Sequence, residues 1–244
     1  MPVTYKEIFY AKYASTHTTH RKGVESIEQF KRRKPGFNLN FGRFLSGNKS
    51  DRIIDVGCGA GALVWWFQSN GYYNTEGIDI SVEQIRIATE LGVRNVRQDD
   101  LKACMAGQPG RFDMIVLRDV IEHFSKEEII EVLETCKEGL KEGGRIVIQV
   151  PNAESPFFGR IRYGDFTHDI AFCTSSLSQL FNMFGFEDAE FFPTIPAVLG
   201  VRSLLRFFLW KATEAFYKLL LYAELGPGSR VVSQNIIAVA TKRA

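Results

Sequence analysis

The sequence predicts a doubly wound α/β domain on a largely parallel sheet, and three observations carry that expectation. From Asp51 onward, short Val/Ile-rich runs alternate with amphipathic stretches of helical length. The apolar runs are nearly continuous, as strands buried on both faces are. A glycine-rich stretch from Asp55 to Gly61, "DVGCGAG", follows the first run directly. Such a loop brings its backbone close to a ligand, and sheets of this kind bind ligands outside the carboxyl ends of their strands.

Each element has its own local signal. The first 50 residues are polar and basic, with eight Lys/Arg against three acids up to Lys34, a net +5. "KRRKPG" is expected to end any helix before it, because proline and glycine both interrupt the pattern. Residues 1–50 are therefore set apart as a helical or lid segment, and 51–244 as the main domain. "RIIDV" reads as the first strand, "ALVWWFQSNG" as a helix closed by Gly71, and "TEGIDI" as the second strand. "SVEQIRIATELG" starts at Ser81, a favourable N-cap, and stops at Gly92. "NVRQD" and "FDMIVL" are the third and fourth strands. "SKEEIIEVLETCKEGLKEGG" opens on a Ser125/Glu128 capping box and ends in glycines, and "RIVIQV" is the fifth strand.

The stretch from Val198 to Tyr222 is apolar enough to suggest a membrane span, but Arg202, Arg206, Lys211, Glu214 and Lys218 interrupt it. At about 100° per residue these charges fall within one half of the wheel, and Val201, Leu205, Phe208, Leu209, Phe216 and Leu219 lie in an uncharged arc. An amphipathic helical insert over about 196–228 is expected. It caps the site or pairs with another subunit as a homodimer; lying peripherally on a membrane is the second reading.

Composition excludes several classes. With 244 residues, 45% hydrophobic and 24% charged, the chain has an ordinary soluble composition. A net charge of +2 does not point to nucleic acid, and no such partner is expected. "MPVTYKEIFY" lacks the basic start and apolar run of a signal peptide. Cys58, Cys104, Cys136 and Cys173 lie far apart, without CxxC or a histidine at ligand spacing, and read as reduced thiols. A cytoplasmic protein is expected, at the inner face of the membrane if the insert lies on lipid.

The glycine loop alone is ambiguous. Gly57-Cys58-Gly59-Ala60-Gly61-Ala62 also satisfies the dinucleotide fingerprint, and Asp79 stands where a ribose-binding acid belongs. Three features weigh against a dinucleotide. Asp55 would repel a pyrophosphate but suits a ligand with an ammonium group. "RQDDL" places carboxylates at the end of strand three, where they can accept from an adenine amino group. "LRDVIEHF" puts a polar cluster after strand four.

"DVGCGAG", "GIDIS", "QDDL", "FDMIVLRDVIEHF" and "LKEGGRIVIQVPN" together resemble the successive motifs of class I S-adenosylmethionine-dependent methyltransferases, over roughly residues 51–192 plus a final "QNIIAVATK" strand. The resemblance implies a Rossmann-like seven-stranded sheet of order 3-2-1-4-5-7-6 with the seventh strand antiparallel. It implies Asp55, Gly57, Cys58, Gly59 and Gly61 around the methionine part of the cofactor, and Asp79 on the ribose. Ile80 would pack on the adenine, Asp99 or Asp100 with Leu101 would line its edge, and Arg118 and Asp119 would line the methionine end.

An alcohol acceptor has to lose its proton, which favours a base near the methyl group. His168, in the connection after strand five, is one candidate, with Asp165 or Asp169 to orient it; the alternative is a loop histidine that holds backbone. His123 in "IEHF" is the other, and packing behind the cofactor is its first reading. His17 and His20 form HxxH with no third ligand in view, so no metal is expected. The stretch around "GDFTHDIAFCTSSLSQLFNMFGFE" is similar to methyltransferases of bacterial surface-polysaccharide pathways. That likeness implies a glycan or glycan precursor whose sugar hydroxyl is O-methylated. The second reading is a small metabolite, such as a quinone precursor or an amine. Behind these stand a nicotinamide-dependent reductase and a non-catalytic protein on the same fold.

Overall fold

A computed structural model describes residues 8–9, 25–226 and 231–243. His17 and His20 fall outside them. Seven strands form one sheet in the order β3-β2-β1-β4-β5-β7-β6. They are β1 (Ile53–Val56), β2 (Thr75–Asp79), β3 (Val96–Gln98), β4 (Phe112–Arg118), β5 (Leu140–Pro151), β6 (Phe186–Pro193) and β7 (Asn235–Lys242). The first five run parallel, and β7 lies antiparallel between β5 and β6. The expected sheet order is the observed one.

Among the described residues from 25 to 243, the α-helices are α1 (Ile27–Phe41), α2 (Ala62–Ser69), α3 (Val82–Glu90), α4 (Leu101–Met105), α5 (Lys126–Gly139), α6 (Phe158–Arg162), α7 (Thr174–Met183) and α8 (Val201–Leu225). Local chemistry sets their ends as the sequence predicts. Ser81 caps α3 by accepting from the Gln84 N–H, and Ser125 with Glu128 closes a reciprocal capping box on α5. Gly71 and Gly92 take the left-handed backbone that ends α2 and α3.

One face of the sheet packs on α4, α5 and α7 through residues such as Ile115, Leu117, Leu133 and Phe181. The other packs on α1, α2 and α3 through Phe30, Phe41, Leu63 and Trp66. Burial on both faces explains why β1 and β4 read as nearly continuous apolar runs.

The expected break at "KRRKPG" does not occur. Pro35 and Gly36 lie inside α1. Proline removes one backbone donor from the ladder, yet Phe30, Phe37 and Phe41 are buried on this helix, with Phe37 and Phe41 against Trp66. The Asn38 side chain also accepts from the Trp66 indole at 2.7 Å. Packing of one apolar face outweighs the local propensity, as it does for most helices in proteins.

α8 runs a full 25 residues, but its apolar arc does not close on the domain. Val201, Leu205, Phe208, Leu209, Phe216 and Leu219 are all exposed, so the capping role expected of this helix is not what the chain shows. Its buried residue is Glu214, which pairs with Lys211 and Lys218. No helix among the described residues is long and apolar enough to cross a membrane.

Candidate functional site

The carboxyl ends of the parallel strands open on a cavity of about 520 Å³, within the usual range for small-molecule sites. Gly57, Gly59 and Gly61 all adopt positive φ, at 69°, 54° and 79°. At Gly57 a Cβ would come within 2.6 Å of a Val120 methyl, so glycine is required there by both backbone and space. The loop is tied to the neighbouring strand: Asp79 accepts from the Gly59 N–H and the Ser81 N–H, both at 2.8 Å, one on each carboxylate oxygen.

Of the residues the sequence proposes, Gly57, Cys58, Gly59, Asp79, Ile80, Asp99, Asp100, Leu101, Arg118, Asp119, His123 and His168 line this one cavity. Asp55 and Gly61 do not. Gly61 is the N-cap of α2, set against Val93. Asp55 is 1% exposed within β1, and both its oxygens are buried without a hydrogen bond. Position on a strand buried from both sides puts its carboxyl behind the cavity wall instead of in it.

Burial pushes Asp55 up to about 7, with Asp79 and Asp119 adding to the rise and Arg118 opposing it. A carboxyl with a raised folded-state value binds its proton more tightly folded than unfolded, so its charge destabilises the fold as pH rises from about 4 to 7. Asp55→Asn is therefore expected to raise the stability of the ligand-free protein at pH 8 by about 2–4 kcal/mol, and to change little at pH 4. Denaturant unfolding at the two pH values checks this; equal stability of both proteins at pH 8 would remove the strained charge from the account.

The doubled acid divides its work. Asp99 accepts from Asp100 N–H with one oxygen and from Arg97 with the other. Asp100 uses Oδ1 to cap α4 through the Ala103 N–H. Ile80 is 51% exposed on the cavity wall, an apolar side chain without cover. Asp119 sits at φ 59° and accepts from Gln149 and Asn235.

The same cavity is lined by a histidine pair. A single 3-10 turn after β4, Ile121–His123, carries Glu122 and His123. The Glu122 carbonyl accepts from the Asp169 and Ile170 N–H groups, which ties the loop after α6 to this turn. That brings His168 against His123, with ring centroids 4.7 Å apart at 67°. His123 Nδ1 lies 2.9 Å from Thr167 Oγ1, whose own proton goes to Asp165 at 2.7 Å. His168 Nδ1 faces the Ile161 carbonyl at 3.1 Å. The orienting partner expected for His168, a carboxylate of Asp165 or Asp169, is thus replaced by a backbone carbonyl on Nδ1, while Asp165 orients His123 through Thr167.

Burial lowers both histidines. His123 falls to about 4, with His168 nearby as the second cause, and His168 also falls below its ordinary value. Glu122 is fully buried, its carboxyl raised well above the carboxylate range by burial and then by Asp119. Neither of its oxygens has a hydrogen-bond partner. The motif "LRDVIEHF" contained Glu122, but nothing in its spacing distinguished it from a helix-surface acid. Its signal was the apolar residue before it and the histidine after it in a turn that has to be buried.

The comparisons agree with this geometry. A model of the methyltransferase domain matches residues 30–190. The chain is 27% identical to the ubiquinone biosynthesis O-methyltransferase of Cupriavidus pinatubonensis over 113 residues, 44% of this chain and 44% of that one. It thus spans less than half the length of that relative. Among solved structures, its fold is similar to that of a SAM-dependent methyltransferase from Archaeoglobus fulgidus (TM-score 0.65, 20% identity, covering 98% of this chain and 100% of that one). It is also similar to phosphoethanolamine N-methyltransferase 2 of Haemonchus contortus in complex with S-adenosyl-L-methionine (TM-score 0.63, 17% identity, 96% and 60%).

Proposed function

This chain belongs to the methyltransferase domain family, and from that premise we propose that it O-methylates a phenolic hydroxyl of a quinone precursor. S-adenosylmethionine is the cofactor and supplies a methyl group on a positively charged sulfur. The nicotinamide-reductase reading falls with the family.

The residues present fit that cofactor. The backbone at Gly59 has no atom nearer than the Gln84 amide at 3.9 Å from its Cβ position, and beside it Ile80 exposes an apolar face to the same cavity. Asp79 has spare lone pairs beyond its two backbone bonds for the ribose hydroxyls. Ile80 would cover the adenine. Asp100, with one oxygen engaged in capping, suits the adenine edge better than Asp99, which uses both. Gly57, Cys58 and Gly59 with Arg118 and Asp119 would flank the methionine part, and Asp55 would act on it through its field from behind the wall.

The observation that carries O-methylation is a cluster of titratable groups on the cavity wall. Glu122, His123 and His168 gather there, and a hydroxyl, unlike a free amine, has to lose a proton as the methyl arrives. Of the two acceptor classes left by the sequence, the relative's name supports the quinone precursor over the sugar hydroxyl. Precursors of isoprenoid quinones are apolar, and the exposed arc of α8 offers apolar surface on which such an acceptor, or the lipid that carries it, can rest.

Incubation with S-adenosylmethionine and a prenylated catechol, followed by mass spectrometry, is expected to yield the monomethyl ether. Turnover confined to sugar nucleotides or to amines would overturn the acceptor.

A further inference from the structure

We propose that Glu122, His123 and His168 form a site for one divalent transition-metal cation, with an open position towards the cavity that the acceptor oxygen takes. The sequence shows no such site, because its ligands come from a turn after β4 and from a loop that follows α6. The fold brings one ligand atom of each of the three within 4.8 Å of the others.

Hydrogen bonding fixes the form of both rings. Thr167 spends its only hydroxyl proton on Asp165, so its oxygen can only accept from His123 Nδ1–H. The Ile161 carbonyl likewise only accepts, so His168 also carries its proton on Nδ1. Each neutral ring then presents its lone pair at Nε2, the form that binds a metal. The third group is Glu122, 0% exposed, with both oxygens unpartnered. A buried carboxyl beside two lone pairs is costly when left unpaired. One cation would satisfy the Glu122 carboxylate, with the two rings as its further ligands.

The supports are those of a metal centre. Metal-bound histidines characteristically donate their other nitrogen to a carboxylate or carbonyl, as His168 does to Ile161 and His123 does through Thr167 to Asp165. The turn bearing Glu122 is pinned by the Asp169 and Ile170 N–H groups. Two imidazoles and one carboxylate suit Zn, Mn, Fe or Co better than Mg or Ca, and three protein ligands leave room for a substrate oxygen.

The ion's role rests on the acceptor reading above; its binding does not. The acceptor hydroxyl gives its proton to water in the cavity as its oxygen joins the cation. That oxygen then forms the new C–O bond while the S–C bond breaks, its electron pair remaining on sulfur. A catechol, with two adjacent oxygens, would be the natural ligand for such a centre.

Chelator-treated protein is titrated with Co2+, followed by visible absorption, and with Zn2+ against a chromogenic chelator. One equivalent is expected, with Glu122→Gln and His168→Ala each weakening it at least about a hundredfold and Thr167→Val about tenfold. S-adenosylhomocysteine binding, measured on every variant, reports the fold, and Thr167→Val serves where the buried substitutions fail to fold. Wild-type protein that binds S-adenosylhomocysteine but no Co2+ or Zn2+ overturns the site, as do folded variants that bind the cation as tightly as wild type. A bound cation without methylation of the catechol keeps the site and removes the acceptor reading. Undiminished methylation by protein that binds no cation does the reverse.

Discussion

Asp79→Ala is expected to weaken S-adenosylhomocysteine binding by roughly tenfold to a hundredfold. Hydrogen bonds to a charged group contribute about 1.5–3 kcal/mol each when the partner is left buried and unpaired. Asp79 closes β2, and its two oxygens hold the Gly59 and Ser81 N–H groups at 2.8 Å. Removal therefore releases the glycine loop from the strand end and takes away the acceptor proposed for the ribose. Burial raises this carboxyl, the two backbone bonds opposing the rise. Asp79→Asn retains acceptor capacity on one atom only, and an intermediate loss is expected. Isothermal titration of all three proteins measures the effect. An Asp79→Ala protein that binds as wild type does would remove this end of the cavity from the cofactor.

His168→Ala is expected to lower kcat by about a hundredfold or more while changing S-adenosylhomocysteine affinity by less than about threefold. His168 lines the cavity from the loop after α6, the part assigned to the acceptor. Its ring is 8% exposed and fixed by the Ile161 carbonyl, so alanine removes a positioned imidazole without touching Asp79 or Gly57. His123→Ala should differ. That ring is tied to Thr167 and Asp165 beside the turn of Glu122, and its loss should reduce stability together with rate. Steady-state kinetics beside thermal unfolding separates the two. Turnover of His168→Ala within a few-fold of wild type would place the group that activates the acceptor hydroxyl elsewhere.

Several parts of this molecule were legible in short windows of sequence. The five parallel strands, the caps at Ser81 and Ser125, and the left-handed glycines after β1 all depend on interactions a few residues long. The cavity residues on the cofactor side follow from the same locality, because strand, loop and helix start are consecutive in the chain. Misreadings came where distant packing decides. Local propensity ends a helix at Pro35, whereas Phe37 and Phe41 against Trp66 carry α1 through it. The amphipathic pattern of α8 left capping of the site, pairing with another subunit and a membrane surface open, because periodicity states which face is apolar and not what it meets; the exposed arc excludes the first.

Asp55 and Glu122 mark the boundary most sharply. The order of hydrophobic runs and glycines by itself determined a parallel sheet with a glycine loop at its strand ends, because burial of both sheet faces and close backbone approach impose those residue types locally; the order of the strands across the sheet came from the resemblance. Only the tertiary structure decided which acids lose their water. It set Asp55 behind the wall and closed the loop of His168 onto the turn of Glu122 and His123 through two backbone hydrogen bonds. The cost of an unpaired charge depends on everything that surrounds it, and the surroundings of these side chains are assembled from segments far apart in the chain.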